Sequence, residues 1–247
     1  MPPGVPEPIA ADARRRSATF AVKTTVARSP WLAPVASRVR HHGVVLGPNT
    51  EIVIEGHPRS ANSFSVVAFE VAQGRRTRIA HHTHAPGHVL AAVRKGVPAI
   101  AVIRDPADAV LEFLLVRPTL DPEQAVRAWT SFYRSVRSVL DRAVLAPFPV
   151  VTTDFGKVMR VVNERTGSSF VPFDHTPENQ QRCFDAMDAY WTGRVGEGRE
   201  KELKVGRPSA ERARLAAELR PVLERDAAGP LAQARTLFER LVAEAPV

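Results

Sequence analysis

The stretch Glu51-Ile-Val-Ile-Glu-Gly-His-Pro-Arg-Ser-Ala-Asn-Ser-Phe64 decides how this chain is read. A short β-branched run enters a Gly-x-Pro-Arg turn, and hydroxyl and amide side chains follow. Backbone N–H groups at the start of a helix lack intrahelical acceptors, and the helix dipole places roughly half a positive charge there. With the guanidinium of Arg59 added, the turn suits a phosphate or sulfate group.

Three further β-branched runs, Thr77 to His82, Pro98 to Arg104 and Pro149 to Asp154, are each followed by a segment of helical periodicity. Strands alternating with helices build parallel crossovers. The expected fold class is therefore α/β, a three-layer αβα arrangement around a parallel sheet. Helices are expected over Ser60 to Gln73, Gly87 to Arg94, Ala107 to Leu115, Asp121 to Ala143, Gly156 to Thr166, Ser209 to Asp226 and Pro230 to Glu244. Asp121-Pro-Glu123 and Ser209 carry N-cap signals. From Gly167 to Arg207 the periodicity fails and glycines punctuate a basic stretch, which reads as a loop.

In an open sheet of this kind ligands bind outside the carboxyl ends of the strands. Gly56 to Ser63 follow the first run, His82 and His84 the second, and Arg104 and Asp108 the third. Thr153 and Asp154 end the fourth. One site can thus collect anion donors, an imidazole and a second arginine.

At 247 residues, 44% of them hydrophobic and 24% charged, the chain has the composition of a globular domain with a sizeable core. The expected division is an N-terminal arm over residues 1–44, partly disordered with a helix in it, and an α/β domain over 45–247. Net charge is +8, yet aromatic content is only 6% and no basic run is interleaved with stacking rings, which argues against nucleic acid. Cys183 is the only cysteine, which removes an intrachain disulfide and favours the cytoplasm. No apolar run approaches the ~18 residues of a membrane span. The arm from Arg14 to Val39, with Trp31 and Leu32, is expected to pack on the domain, with peripheral membrane contact as its lesser reading.

The loop is not a Walker A motif, because it holds no lysine and lacks Gly-x-x-x-x-Gly-Lys. It resembles instead the 5′-phosphosulfate loop of the sulfotransferase family, Pro-Lys/Arg-Ser-Gly-Thr/Asn-Thr/Ser-Trp. Pro58, Arg59, Ser60, Asn62 and Ser63 match it, and Phe64 stands where the family has a Trp near the adenine. His82-Thr-His-Ala-Pro86 is similar to the family's Lys-Thr-His-x-Pro segment, whose His is the catalytic base. Ile103-Arg-Asp-Pro-Ala-Asp-Ala-Val110 resembles the element whose Arg holds the 3′-phosphate. Thr152-Thr-Asp-Phe155 resembles the Tyr-Glu-Asp-Leu strand end.

These matches fall in the family's order across residues 51 to 155. They imply a P-loop-like architecture and sulfuryl transfer from 3′-phosphoadenosine 5′-phosphosulfate to an acceptor hydroxyl, without a metal. By the same resemblance His84 is the general base, with Arg59 and His82 at the reacting group, and residues Pro58 to Phe64 hold the donor with Arg104. The family's closing Gly-rich loop has a loose relative in Arg194-Val-Gly196, with Lys204-Val-Gly-Arg207 as the alternative. His82 and His84 at i, i+2 suggest a metal, but no matching ligand set accompanies them.

Three positions depart from the family. Ala61 replaces Gly, His82 replaces Lys, and Glu112 stands where a Ser would meet the 3′-phosphate. A carboxylate there repels that group unless it turns away or pairs with a cation. Two rival readings follow: a sulfotransferase-like binding protein without turnover, and a phosphoryl-transfer kinase on a degenerate loop that needs Mg²⁺ and ATP.

Overall fold

The computed structural model describes residues 27–34, 36 and 43–247. Most of the arm over residues 1–44, with the disorder expected in part of it, lies outside the described residues. Four strands, β1 (Ile52–Gly56), β2 (Ile79–His81), β3 (Ala99–Ile103) and β4 (Val144–Pro147), form one sheet of order β2-β1-β3-β4. All pairings are parallel, with Val53 opposite Ala99 and Ile100 opposite Val144.

Both faces of this sheet are covered, which is why its strands are apolar but for Glu55 in β1 and His81 in β2. Ile52, Ile54, Ile100, Val102, Val144 and Ala146 point into one core. They meet helices α1 (Asn62–Gln73), α6 (Phe155–Thr166) and α7 (Pro177–Val195). Val53, Ala101, Ile103 and Leu145 point into the other. There they meet α2 (Pro86–Arg94), α3 (Pro106–Val116), α4 (Pro122–Arg137), α9 (Ala210–Asp226) and α10 (Ala228–Ala243). The three-layer parallel α/β class expected from the alternation is the one observed.

Two expectations fail. Pro149 to Asp154 is not a strand: β4 lies just upstream, and a short helix α5 (Phe148–Thr153) follows it. Val150 and Val151 imitate a strand in composition, but Pro149 cannot donate to a ladder, and only Val151 of this helix is buried. The same shift cuts the expected helix to Ala143 short at Arg137. The second failure is the loop expected from Gly167 to Arg207, which contains α7 and the short α8 (Arg199–Lys204). Only Cys183 and Met187 of α7 are buried, so its apolar stripe is too thin to show as periodicity.

The described part of the arm packs on the domain. Arg28 Nε donates to Ser131 Oγ at 2.5 Å, and the Arg94 guanidinium stacks 3.7 Å over Trp31. At the β2 edge Val44 and His81 exchange two backbone hydrogen bonds, an antiparallel bridge that covers the sheet's open side. Among the described residues no helix is long and apolar enough to cross a membrane.

Candidate functional site

The chain runs from β1 to β2 on one side of the sheet and then to β3 on the other side of β1. The carboxyl ends of β1 and β3 therefore border the topological switch point, the place of the ligand crevice in open sheets of this order. Arg59 follows β1 and Arg104 follows β3, so both guanidinium groups are delivered to that crevice.

The turn after β1 is held in an unusual conformation. Arg59 and Ala61 have φ of 68° and 72°, and the turn after β2 repeats the pattern with His82 at 58° and His84 at 51°. These are all the non-glycine residues with positive φ among the described residues, and all four sit at the mouth of the sheet. L-residues in this region cost about 1 kcal/mol each, and such strain gathers where a structure positions functional groups. At Gly56 a side chain is excluded outright, since a Cβ would lie 2.5 Å from the Val102 carbonyl oxygen.

Several expected ligand groups of the first turn serve instead to shape it. Asn62 Nδ2 donates to the His57 carbonyl at 3.0 Å. Ser60 is fully buried, its Oγ 3.4 Å from the Tyr133 hydroxyl. That hydroxyl donates to Val102 O at 2.7 Å and accepts from His57 N at 3.3 Å, so α4 ties the turn to β3. Phe64 lies in the core, with ring contacts to Phe173, His175 and Phe184, rather than at the surface of the crevice. Ala61 is the N-cap of α1 and Ala85 that of α2, and neither helix has a side-chain cap. The first amides of α1 are thus left for a ligand or water, whereas α2 begins at Pro86, which has no N–H, and its His88 N–H is taken by the Ala85 carbonyl at 3.0 Å.

The two turns meet. Ser63 Oγ lies 2.9 Å from His82 Nε2, and His82 Nδ1 lies 2.5 Å from His81 Nδ1. His84 Nδ1 lies 2.9 Å from the Gly56 carbonyl. A carbonyl only accepts, so Nδ1 of His84 carries the proton and the lone pair of the neutral ring resides on Nε2. Burial, with the charge of His84 second, pushes His57 down to about 3 and His81 down to about 4, so these rings stay neutral beside it.

Beneath this turn lies Glu55, with no solvent exposure. Its carboxylate accepts from Thr83 N at 2.9 Å, Thr83 Oγ1 at 2.5 Å and His84 N at 3.0 Å. Burial outweighs those bonds and pushes its pKa up to about 7.

Arg59 does not point at the first turn of α1. Its guanidinium donates to Glu112 Oε2 at 3.0 Å and to the carbonyls of Lys204 at 2.9 Å and Leu203 at 3.4 Å. Arg212 Nε lies 3.1 Å from the same Glu112 oxygen. Arg104 donates to the Arg59 carbonyl at 3.1 Å and stacks 4.5 Å over Phe148. It leaves β3 in a fixed direction because Asp105 caps α3, accepting from Ala107 and Asp108 N–H, and Trp129 Nε1 donates to its carbonyl. Asp108 pairs with Arg220, not with Arg104. Asp154 caps α6 through Lys157 N–H.

Pro58, Arg59, Asn62, Ser63, His82, His84 and Arg104 are thus brought to one crevice. Arg194 is exposed and stacks 3.7 Å over Tyr190, and Gly196 ends α7 with φ 70°. It is the Lys204 to Arg207 segment whose carbonyls reach the arginine cluster, through Arg59 and Arg212. Glu55 and Arg212 were not expected. Glu55 was readable as a charge inside a buried strand, whereas Arg212 lies on a helix with nothing local to mark it. Among the described residues no group of His, Cys, Asp and Glu is arranged to hold a metal ion. No family model and no curated protein matches the chain.

Proposed function

We propose that this protein transfers the sulfuryl group of 3′-phosphoadenosine 5′-phosphosulfate to a hydroxyl of a small-molecule, glycan or lipid-linked acceptor. The observation that carries the reading is the hydrogen bond of Ser63 Oγ to His82 Nε2, which joins the anion-binding turn to the imidazole turn. In this reading it sets the turn that holds the donor against the turn that carries the base, His84, as transfer between two bound reactants requires.

In this reading the acceptor oxygen attacks sulfur in line. Its proton passes to His84 Nε2, the bond from sulfur to the bridging phosphate oxygen breaks, and the electron pair leaves on the phosphate. The first amides of α1 and the guanidinium of Arg59 disperse that charge, and Arg104 takes the 3′-phosphate. The fit is electrostatic: an uncapped helix start beside the guanidinium groups of Arg59, Arg104 and Arg212 suits a polyanion.

One observation favours a second reading, a nucleotide-binding protein without turnover: Arg59 is engaged by Glu112 and by the α8 carbonyls. Calorimetry with 3′-phosphoadenosine 5′-phosphate, AMP and ATP tests the donor without knowledge of the acceptor. Selective affinity for the bisphosphate supports both readings, and a metal-free transfer assay over a broad acceptor set separates them. Preference for ATP with Mg²⁺ would point to the kinase instead.

A further inference from the structure

Arg59, from the turn after β1, and Arg212, on α9, converge on the side chain of Glu112, and Arg104, from the end of β3, is held beside them on the Arg59 carbonyl. The side chains of Glu112 and its two direct partners are only 7–14% exposed. At that depth charges are poorly screened, so a lone carboxylate among arginines is a strong occupant of the space it fills. A single carboxylate oxygen, Glu112 Oε2, thus holds two guanidinium groups, with Arg104 beside them on the Arg59 carbonyl. A phosphate-type group brings up to two negative charges where the carboxylate brings one.

The same contacts hold down a strap of backbone. Arg59 binds the Leu203 and Lys204 carbonyls, and Arg212 binds those of Glu202, Val205 and Arg207. If the Arg59 guanidinium turns to an external anion, the strap loses the donor to Leu203 and Lys204 and keeps those from Arg212.

We propose that Glu112 is an internal competitor of the anionic ligand, holding Arg59 until a doubly charged phosphate-type group displaces it, and thereby lowers the affinity of this crevice and selects against singly charged anions. The inference rests on the proposed function only in assigning a phosphate-bearing nucleotide to the crevice.

The test is calorimetry with 3′-phosphoadenosine 5′-phosphate on the wild type and on Glu112→Gln, with inorganic phosphate and the singly charged anion nitrate as simpler probes in thermal melts. The variant is expected to bind the bisphosphate about tenfold or more tightly than the wild type. Its melting temperature should rise more with phosphate than that of the wild type, and nitrate should gain effect on it too. Equal or weaker affinity in a folded variant, with an unchanged response to phosphate, overturns the inference. Glu112→Asp keeps the charge and shortens its reach, serves where the amide variant does not fold, and must also tighten binding. Selective bisphosphate binding by the wild type with no gain in either variant sinks the competitor and leaves the proposed function standing. The reverse holds if no protein binds the nucleotide while phosphate stabilises the variants more than the wild type.

Discussion

The carboxylate of Glu55 accepts the backbone N–H of His84 at 3.0 Å from within β1, so the strand beside β2 fixes the turn that carries the imidazole. The Thr83 hydroxyl and amide complete its coordination. Glu55→Gln turns part of the acceptor into an N–H donor facing other donors, and the turn must shift to relieve the clash. Displacement of a catalytic group by about an ångström costs on the order of 10²-fold in rate. We expect a loss of that size in turnover, with bisphosphate affinity within about threefold of wild type by calorimetry. Equal losses in both would show that Glu55 supports the whole fold, not the imidazole turn.

His84→Ala removes the Nε2 lone pair and the hydrogen bond to Gly56 O, but none of the arginines. Turnover is expected to vanish, a loss of about 10²–10⁴-fold, while the dissociation constant for the bisphosphate stays nearly constant. Steady-state rates and calorimetry on the same preparation check this.

Ala61 occupies the left-handed region at φ 72° as the N-cap of α1, where glycine is unstrained. Ala61→Gly relieves about 1 kcal/mol and returns part of that as added freedom of the unfolded chain. The net expectation is a gain of roughly 0.5 kcal/mol and a melting temperature higher by about 1–2 °C, read by calorimetric melting. A lower melting temperature would show that the methyl group contributes packing that outweighs the strain.

Acid stability follows from buried imidazoles. Burial pushes His88, which has no solvent exposure, down to about 4. Such a group contributes stability that is complete above about pH 6.5 and is lost as the pH falls toward 4, because the unfolded chain binds the proton first. Glu55 acts in the opposite sense: its raised pKa costs stability as the pH climbs from about 4.5 to about 7. His88→Leu removes one imidazole term and leaves Glu55 in place. Urea unfolding at pH 7 and pH 4.5 should show the variant losing about 2 kcal/mol less on acidification than the wild type.

Three of the four strands and most of the helices were legible because their β-branched runs are short, largely apolar and followed by a capped or periodic segment, whereas β4, Val144–Pro147, was placed too far along the chain. The turn at Pro58 to Ser63 was legible for the same reason: glycine, proline and short polar side chains state their local geometry. What the sequence hid was long-range. Thr176-Pro-Glu178 opens α7 with the same kind of signal as Asp121-Pro-Glu123 opens α4, Thr176 capping Asn179 N–H, but α7 buries so few residues that its periodicity is faint. Glu112 reads from its position as a repulsive neighbour of an anion. Its pairing with Arg59 and with Arg212, a hundred positions along the chain, shows only in the fold.

The account depends on Arg59 turning from Glu112 to a nucleotide at the mouth of β1 and β3. A crystal structure with 3′-phosphoadenosine 5′-phosphate bound tests this most directly. We expect one phosphate on the first amides of α1 with the Arg59 guanidinium swung onto it, and the other within reach of Arg104. A nucleotide bound elsewhere, or no nucleotide at saturating concentration with Arg59 still paired to Glu112, would contradict it.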